Sequence, residues 1–159
     1  MLIHTRVQIF INAPIEQVFD WSIDSQNLPR FFTGYQAIPA ILRATTTDGL
    51  PLHEGSIRIV QNSDGSAIEE AIVSLQRPTL QAYTLLRGFK PPFSWLVRSA
   101  SGQWSYRTSN SGTTITWQFD FKMHHLLAYV AFLALVKHPF QTAQRICLAN
   151  LKQTMEHAS

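Results

Sequence analysis

Two adjacent carboxylates, Glu69 and Glu70, interrupt an otherwise apolar run, Ala67-Ile-Glu-Glu-Ala-Ile-Val-Ser-Leu75. Neighbouring side chains of a strand leave on opposite faces, so burial of either face places one Glu among apolar groups. One choice sets it beside Ile68 and Ile72, the other beside Ala71, Val73 and Leu75. A buried carboxylate must find a partner or keep its proton, and a retained proton is what a general acid supplies. Arg58 is the candidate partner: a turn centred on Ser63-Asp64 brings Arg58 and Glu70 together on one side of a hairpin. Such a pair serves as a structural link or a ligand anchor, with catalysis by Glu70 as the alternative.

The other reactive residue types form no recognisable constellation. His124 and His125 are neighbours and would diverge by about 100° on a helix, unlike the i, i+4 pair that a metal favours. His4, His53, His138 and His157 are scattered among loops and ends, and no Cys or carboxylate spacing completes a metal site. No metal is expected. Cys147, the single cysteine, falls on an apolar stripe and reads as a buried, inert thiol. The chain has no Gly-x-Ser-x-Gly elbow, Walker loop or Gly-x-Gly-x-x-Gly string, so no nucleotide or other cofactor is expected.

The elements that must position these residues follow from periodicity. Residues 3–11 alternate with Val7, Ile9 and Ile11 on one side, as a strand does. Asn12-Ala13-Pro14 breaks it, and Pro14 suits the first position of a helix carrying Ile15, Val18, Phe19 and Ile23. A second short helix is expected over Ser25 to Phe31, capped by Asp24 or Ser25. From about residue 37 to 122, turn signals at Asp48-Gly49, Asp64-Gly65, Arg77-Pro78 and Ser111-Gly112 separate about six strands. In the last of these, Ile115, Trp117, Phe119 and Phe121 share one face. His124 to His157 reads as one long helix with a stop or kink near Val136–His138, ahead of Pro139. Ala143, Ile146, Cys147, Leu151 and Met155 form its apolar stripe.

Composition sets the outer limits. The 159 residues are 45% hydrophobic, 11% aromatic and only 14% charged, which suits a single domain over 1–159 with a full core. Disorder, a coiled coil and a disulfide scaffold are excluded. Nine Arg and four Lys give a net charge of +3 without a basic cluster, so no nucleic-acid partner is expected. Met1 to Arg6 lacks the order of a signal peptide. The longest apolar run, Leu126 to Val136, has 11 residues against the ~20 that span a bilayer. A soluble, cytoplasmic protein without stable membrane insertion is expected.

The order of elements and several local strings resemble the helix-grip fold of the START/SRPBCC superfamily, also called Bet v 1-like. The nearest branch is its polyketide cyclase/dehydrase-like bacterial members. Ala13 to Trp21 and Asp24 to Phe31 resemble the entry from first strand to first helix. Gly55-Ser-Ile-Arg58, Asp64-Gly65 with Glu70, Pro78 with Tyr83, and Gly112-Thr113 with Trp117 resemble its hairpin core, and Leu148 to Lys152 its helix ending.

The resemblance implies an α+β fold: a curved antiparallel sheet of about seven strands around a long C-terminal helix, with two short helices after the first strand. It implies a cavity between sheet and helix, and Glu70 as the inward carboxylate. Within that cavity Arg58, Glu70 and Tyr83 are expected to orient a ligand, against walls of Trp104, Trp117 and Phe119. Leu127 and Ala131 are expected to add the helical wall, because the 126–136 segment is apolar almost all round. Phe31, Phe32, Phe89, Phe93 and Trp95 are expected at the entrance. The Gly88–Leu96 loop, rich in Pro and aromatic groups, has the composition of a gate, a partner surface or a membrane-contacting tip. The leading expectation is binding or transport of a small lipid-like or polyketide-like molecule. The alternatives are a cyclase or dehydratase using Glu70 as acid or base, and a protein–protein interaction module with a filled core.

Overall fold

Alternation of buried and solvent-facing positions runs through the first strand, β1 (Leu2–Ile11), where Ile3, Thr5, Val7 and Ile11 are buried. This one-sided pattern belongs to an antiparallel sheet with a single covered face. The computed structural model describes residues 1–157. After β1, Pro14 caps α1 (Ile15–Ile23) from just outside the helix, one residue earlier than its expected place. Asp24 accepts a hydrogen bond from the Gln26 amide at 3.0 Å and opens a 3₁₀ turn (Ser25–Asn27) that runs into α2 (Leu28–Phe31).

Six further strands follow: β2 (Ile41–Thr46), β3 (Ile57–Asn62), β4 (Ala67–Gln76), β5 (Leu80–Arg87), β6 (Val97–Ser109) and β7 (Gly112–Met123), with a single helical turn, α3 (Phe93–Leu96), before β6. The sheet order is β1-β7-β6-β5-β4-β3-β2, antiparallel throughout. Consecutive strands are joined locally except β1, which the last strand returns to pair.

The β6–β7 turn is formed by Asn110 and Ser111, both at positive φ, rather than by Ser111-Gly112. Two left-handed residues match the twist of a two-residue hairpin. Gly112 is freed for the strand, where a Cβ would lie 2.5 Å from the Phe10 ring and 2.6 Å from the Ile11 carbonyl oxygen.

The C-terminal helix is two helices. α4 (Leu126–Leu135) ends before Val136, and α5 (Lys137–His157) continues at an angle of 51°. Pro139 lies in the first turn of α5, where no intrahelical hydrogen bond is lost. α5 covers the sheet with Phe140, Ala143, Cys147, Leu148 and Leu151, all buried. Phe140, Leu148 and Leu151 each contribute about 1.5–3 kcal/mol on leaving water. Polar ties fix its position: Asn150 donates to the Phe31 carbonyl at 3.1 Å and Lys152 to the Phe10 carbonyl at 2.7 Å. The two small early helices, the sheet and α5 thereby enclose one volume.

Candidate functional site

That volume contains a cavity of about 150 Å³ walled by the inner face of the sheet, α2 and α5. Its aromatic walls are continuous: Trp104 and Trp117 lie 4.8 Å apart between ring centroids, and Phe140 of α5 meets Phe119 and Phe121 at 4.9 Å. Ring contacts of this kind hold side chains in place beyond simple area burial, so the walls are shaped before anything enters.

The polar groups of the wall come from the β3–β4–β5 strands. Arg58 and Glu70 are directly opposite in the β3–β4 register. The Arg58 Nη2 donates to both Glu70 carboxylate oxygens at 3.3 Å, with side-chain exposures of 4% and 7%. Arg58 Nε and Nη1 are buried without a protein partner. Two guanidinium nitrogens, with three N–H groups between them, therefore lie unpaired at the cavity wall. Glu69 turns to the outer face and accepts from Arg87 at 2.7 Å, which resolves the choice between the two carboxylates.

Tyr83 is placed by an absence of side chain. It faces Gly102 across β5–β6, where a Cβ would lie 2.3 Å from the tyrosine ring. Burial, with the Glu70 charge second, pushes the Tyr83 hydroxyl far above its ordinary range, while Arg58 and the indole N–H groups of Trp117 and Trp104 oppose the shift. Tyr83 consequently keeps its proton. Deeper along the same strand, Gln81 donates to the Tyr106 hydroxyl at 2.7 Å, and Ser22 shares a 2.7 Å hydrogen bond with it. Burial raises the Tyr106 hydroxyl as well. Cys147 also borders the cavity, and burial pushes its thiol up, away from the thiolate a nucleophile requires.

Arg58, Glu70, Tyr83, Trp104, Trp117 and Phe119 all border the cavity. Phe31 of α2 and Phe32 just after it close one side, and Phe89 and Phe93 of the β5–β6 connection another. Three expected positions fall elsewhere. Trp95 is 68% exposed on α3 and Leu127 is 74% exposed on α4. Ala131 is also outside the cavity, because the inward face of α4 is formed by Ala128 and Phe132 instead. α4 meets the sheet through Phe132, 4.6 Å from Phe121 between ring centroids, and of the two terminal helices only α5 lines the cavity.

The histidines also settle into local roles. His125 precedes α4 and caps it, its Nδ1 accepting from the Ala128 amide at 3.1 Å, so the helical His124-His125 pair does not form. His4 lies within β1 against Asp120, and His53 pairs with Asp48 at 2.9 Å. No group of three or more His, Cys, Asp or Glu able to hold a metal occurs among the described residues. The sequence reading missed Gln81, Ser22 and Gly102. Gln81 was accessible in principle, since it precedes Tyr83 by two on one strand and shares its face.

A curved antiparallel sheet gripping a terminal helix around a polar-anchored cavity defines a helix-grip protein of the SRPBCC type. Residues 3–156 match the family described as polyketide cyclase / dehydrase and lipid transport, and the chain belongs to that family. Among solved structures, the ginseng major latex-like protein 151 from Panax ginseng superposes with a TM-score of 0.73 at 14% identity, covering 97% of each chain. The di-domain ARO/CYC protein BexL, from the BE-7585A biosynthetic pathway, gives 0.73 at 15% identity over 98% of this chain and 50% of its own. XoxI from Bacillus cereus gives 0.70 at 19% identity, over 96% and 94%. At these identities the likeness is one of fold. No curated protein is similar enough in sequence to count as a relative.

Proposed function

We propose that the protein binds a small hydrophobic molecule carrying a hydrogen-bond acceptor, seated between the aromatic walls with the acceptor on Arg58. The observation that carries this reading is the pair of unpartnered donors, Arg58 Nε and Nη1, buried beside an apolar cavity. A buried donor without a partner costs about 1–3 kcal/mol, more when charged, and a bound acceptor recovers that cost. Tyr83, held protonated, adds a further donor nearby. A volume near 150 Å³ suits a compact ring system.

Calorimetry with naphthalene and 1-naphthoate tests this. The wild type is expected to prefer the naphthoate by about tenfold or more, the ratio of about 1.4 kcal/mol. The double variant Arg58→Met/Glu70→Met replaces the pair by apolar groups without orphaning a charge, and should retain naphthalene binding while losing the preference. Failure of the wild type to bind either probe, with only ligand-free protein in native mass spectrometry, overturns the proposal.

A second reading, cyclisation or dehydration with Glu70 as acid or base, draws on the placement of Glu70 at the cavity wall. Both of its oxygens are engaged by Arg58, which favours the anchoring role. Under the enzymatic reading Glu70→Gln abolishes turnover of a polyketide-like substrate while apolar binding persists.

A further inference from the structure

α4 is apolar on every side, a composition normally found in helices buried all round. Here only Ala128 and Phe132 are buried, with Tyr129 partly so. Leu126, Leu127, Val130 and Leu135 are exposed by 65%, 74%, 54% and 73%. α3 extends this face with Trp95, because the His124 amide donates to the Leu96 carbonyl at 3.1 Å and brings the two helices side by side. Contiguous exposed apolar surface of this kind marks an interaction site.

The charges around it identify the occupant. Arg98 lies two residues after α3, Lys122 four residues before α4, and Lys137 opens α5. The β6–β7 register, with Val97 opposite Met123 and Ser99 opposite Lys122, sets Arg98 beside Lys122. Between residues 71 and 155 the sole carboxylate side chain is Asp120, which is engaged by His4. An isologous dimer through this face would set each basic rim against itself, with no acid from the α3 or α4 segments to pair it. An anionic lipid surface complements it on both counts: headgroups for the cations, acyl chains for the leucines and Trp95. Ten residues of helix measure about 15 Å against a hydrocarbon core of about 30 Å, so α4 lies on the membrane and does not cross it.

We infer that α4 and α3 form a docking face for anionic membranes. The face stands apart from the cavity and from whatever the cavity binds, though Phe93 of the same turn borders the cavity two residues from Trp95. Docking therefore sets the Phe93 end of the cavity wall beside the lipid.

Co-sedimentation of the full chain with vesicles tests the inference, comparing phosphatidylcholine alone with phosphatidylcholine containing phosphatidylglycerol. The protein is expected to sediment with the anionic vesicles at least tenfold more strongly, and to be released as salt rises to about 0.5 M. Leu127→Ser/Leu135→Ser changes only exposed side chains and should abolish binding, with the circular dichroism and melting temperature kept. Lys122→Glu/Lys137→Glu should weaken it by about tenfold or more. Absence of binding to anionic vesicles overturns the inference. So does a concentration-dependent dimer that the double serine variant renders monomeric, which assigns the face to a second copy.

Discussion

Arg58 and Glu70 show how a buried ion pair can be structurally costly and still be useful. Each is almost fully removed from water, and the pair's mutual attraction roughly balances its desolvation. The balance fails when one member is removed. Glu70→Ala is expected to lower stability by about 3–5 kcal/mol, because it leaves a guanidinium buried and uncompensated. Chemical denaturation gives that difference directly. Arg58→Met/Glu70→Met should recover most of it, and a double variant as unstable as Glu70→Ala would mean that the pair is indispensable to packing. The carboxylate choice also shows where residue-level reading stops. Adjacent Glu69 and Glu70 must diverge, but which one faces inward depends on the β3–β4 register, and that follows from the Asn62–Ser66 turn. There the Asp64 carboxylate accepts from the Ser66 amide at 2.8 Å.

At the scale of elements, strand periodicity was legible and helix environment was not. Ile115, Trp117, Phe119 and Phe121 alternate because one face of β7 is covered, and the sequence carries that asymmetry residue by residue. The 126–135 run carries no asymmetry, so nothing in it distinguishes the face toward the protein from the face toward its surroundings; Leu127 and Ala131 were misplaced for that reason. Turn chemistry sits between these cases: Ser111-Gly112 flagged the right hairpin, but steric demand beside Phe10 moved the glycine out of the turn. The contact between β5 and β6 gives an expected outcome. Gly102→Ala drives a methyl into the Tyr83 ring and should cost about 1–3 kcal/mol as overpacking. It should also weaken 1-naphthoate binding, whereas an equal loss of naphthalene and naphthoate affinity would indicate general disruption of the cavity.

The connection from β2 to β3 supplies a pH-dependent link. The His53 ring nitrogens approach the Asp48 carboxylate at 2.9 Å and the Glu54 carbonyl at 2.8 Å, so both face acceptors and the imidazolium is favoured. Asp48 first, and the Glu54 carbonyl second, raise His53 above its usual 6.5. Its stabilising contribution is complete below 6.5 and disappears as pH rises through the higher folded value. The same bond lowers Asp48 from 3.8, so its contribution holds above 3.8 and disappears as pH falls through the lower folded value. Titration of the His53 ring by NMR should give a midpoint above 6.5, returning toward 6.5 in Asp48→Asn. An unchanged midpoint in that variant would refute the link.

For the whole molecule, the fold was legible because every level agreed: one amphipathic first strand, two short helices, a succession of hairpins and a terminal apolar stripe. The site was legible only in outline, because a cavity is a relation between surfaces that no local pattern encodes. Its walls, Trp104 and Trp117, are indistinguishable in sequence from core. Ligand binding should register at this scale as a rise in Tm that grows with ligand concentration, about 2.7 kcal/mol of added stability at a hundredfold excess over Kd. A Tm independent of naphthoate concentration would contradict occupancy of the folded state.

The placement of the tryptophans has an optical consequence. Trp104 and Trp117 border the cavity, while Trp95 stands 68% exposed on the opposite side of the Phe93 turn. The fourth, Trp21 of α1, is partly buried against Phe31; the protein therefore carries a shielded pair, one intermediate fluorophore and one open to aqueous quenchers. Acrylamide should silence Trp95 first, a lipid surface should move the Trp95 emission to shorter wavelength, and in a Trp21→Phe background an aromatic guest should alter only the shielded pair. Occupancy of the interior and contact at the outer face can thus be followed separately, in one cuvette, without a label.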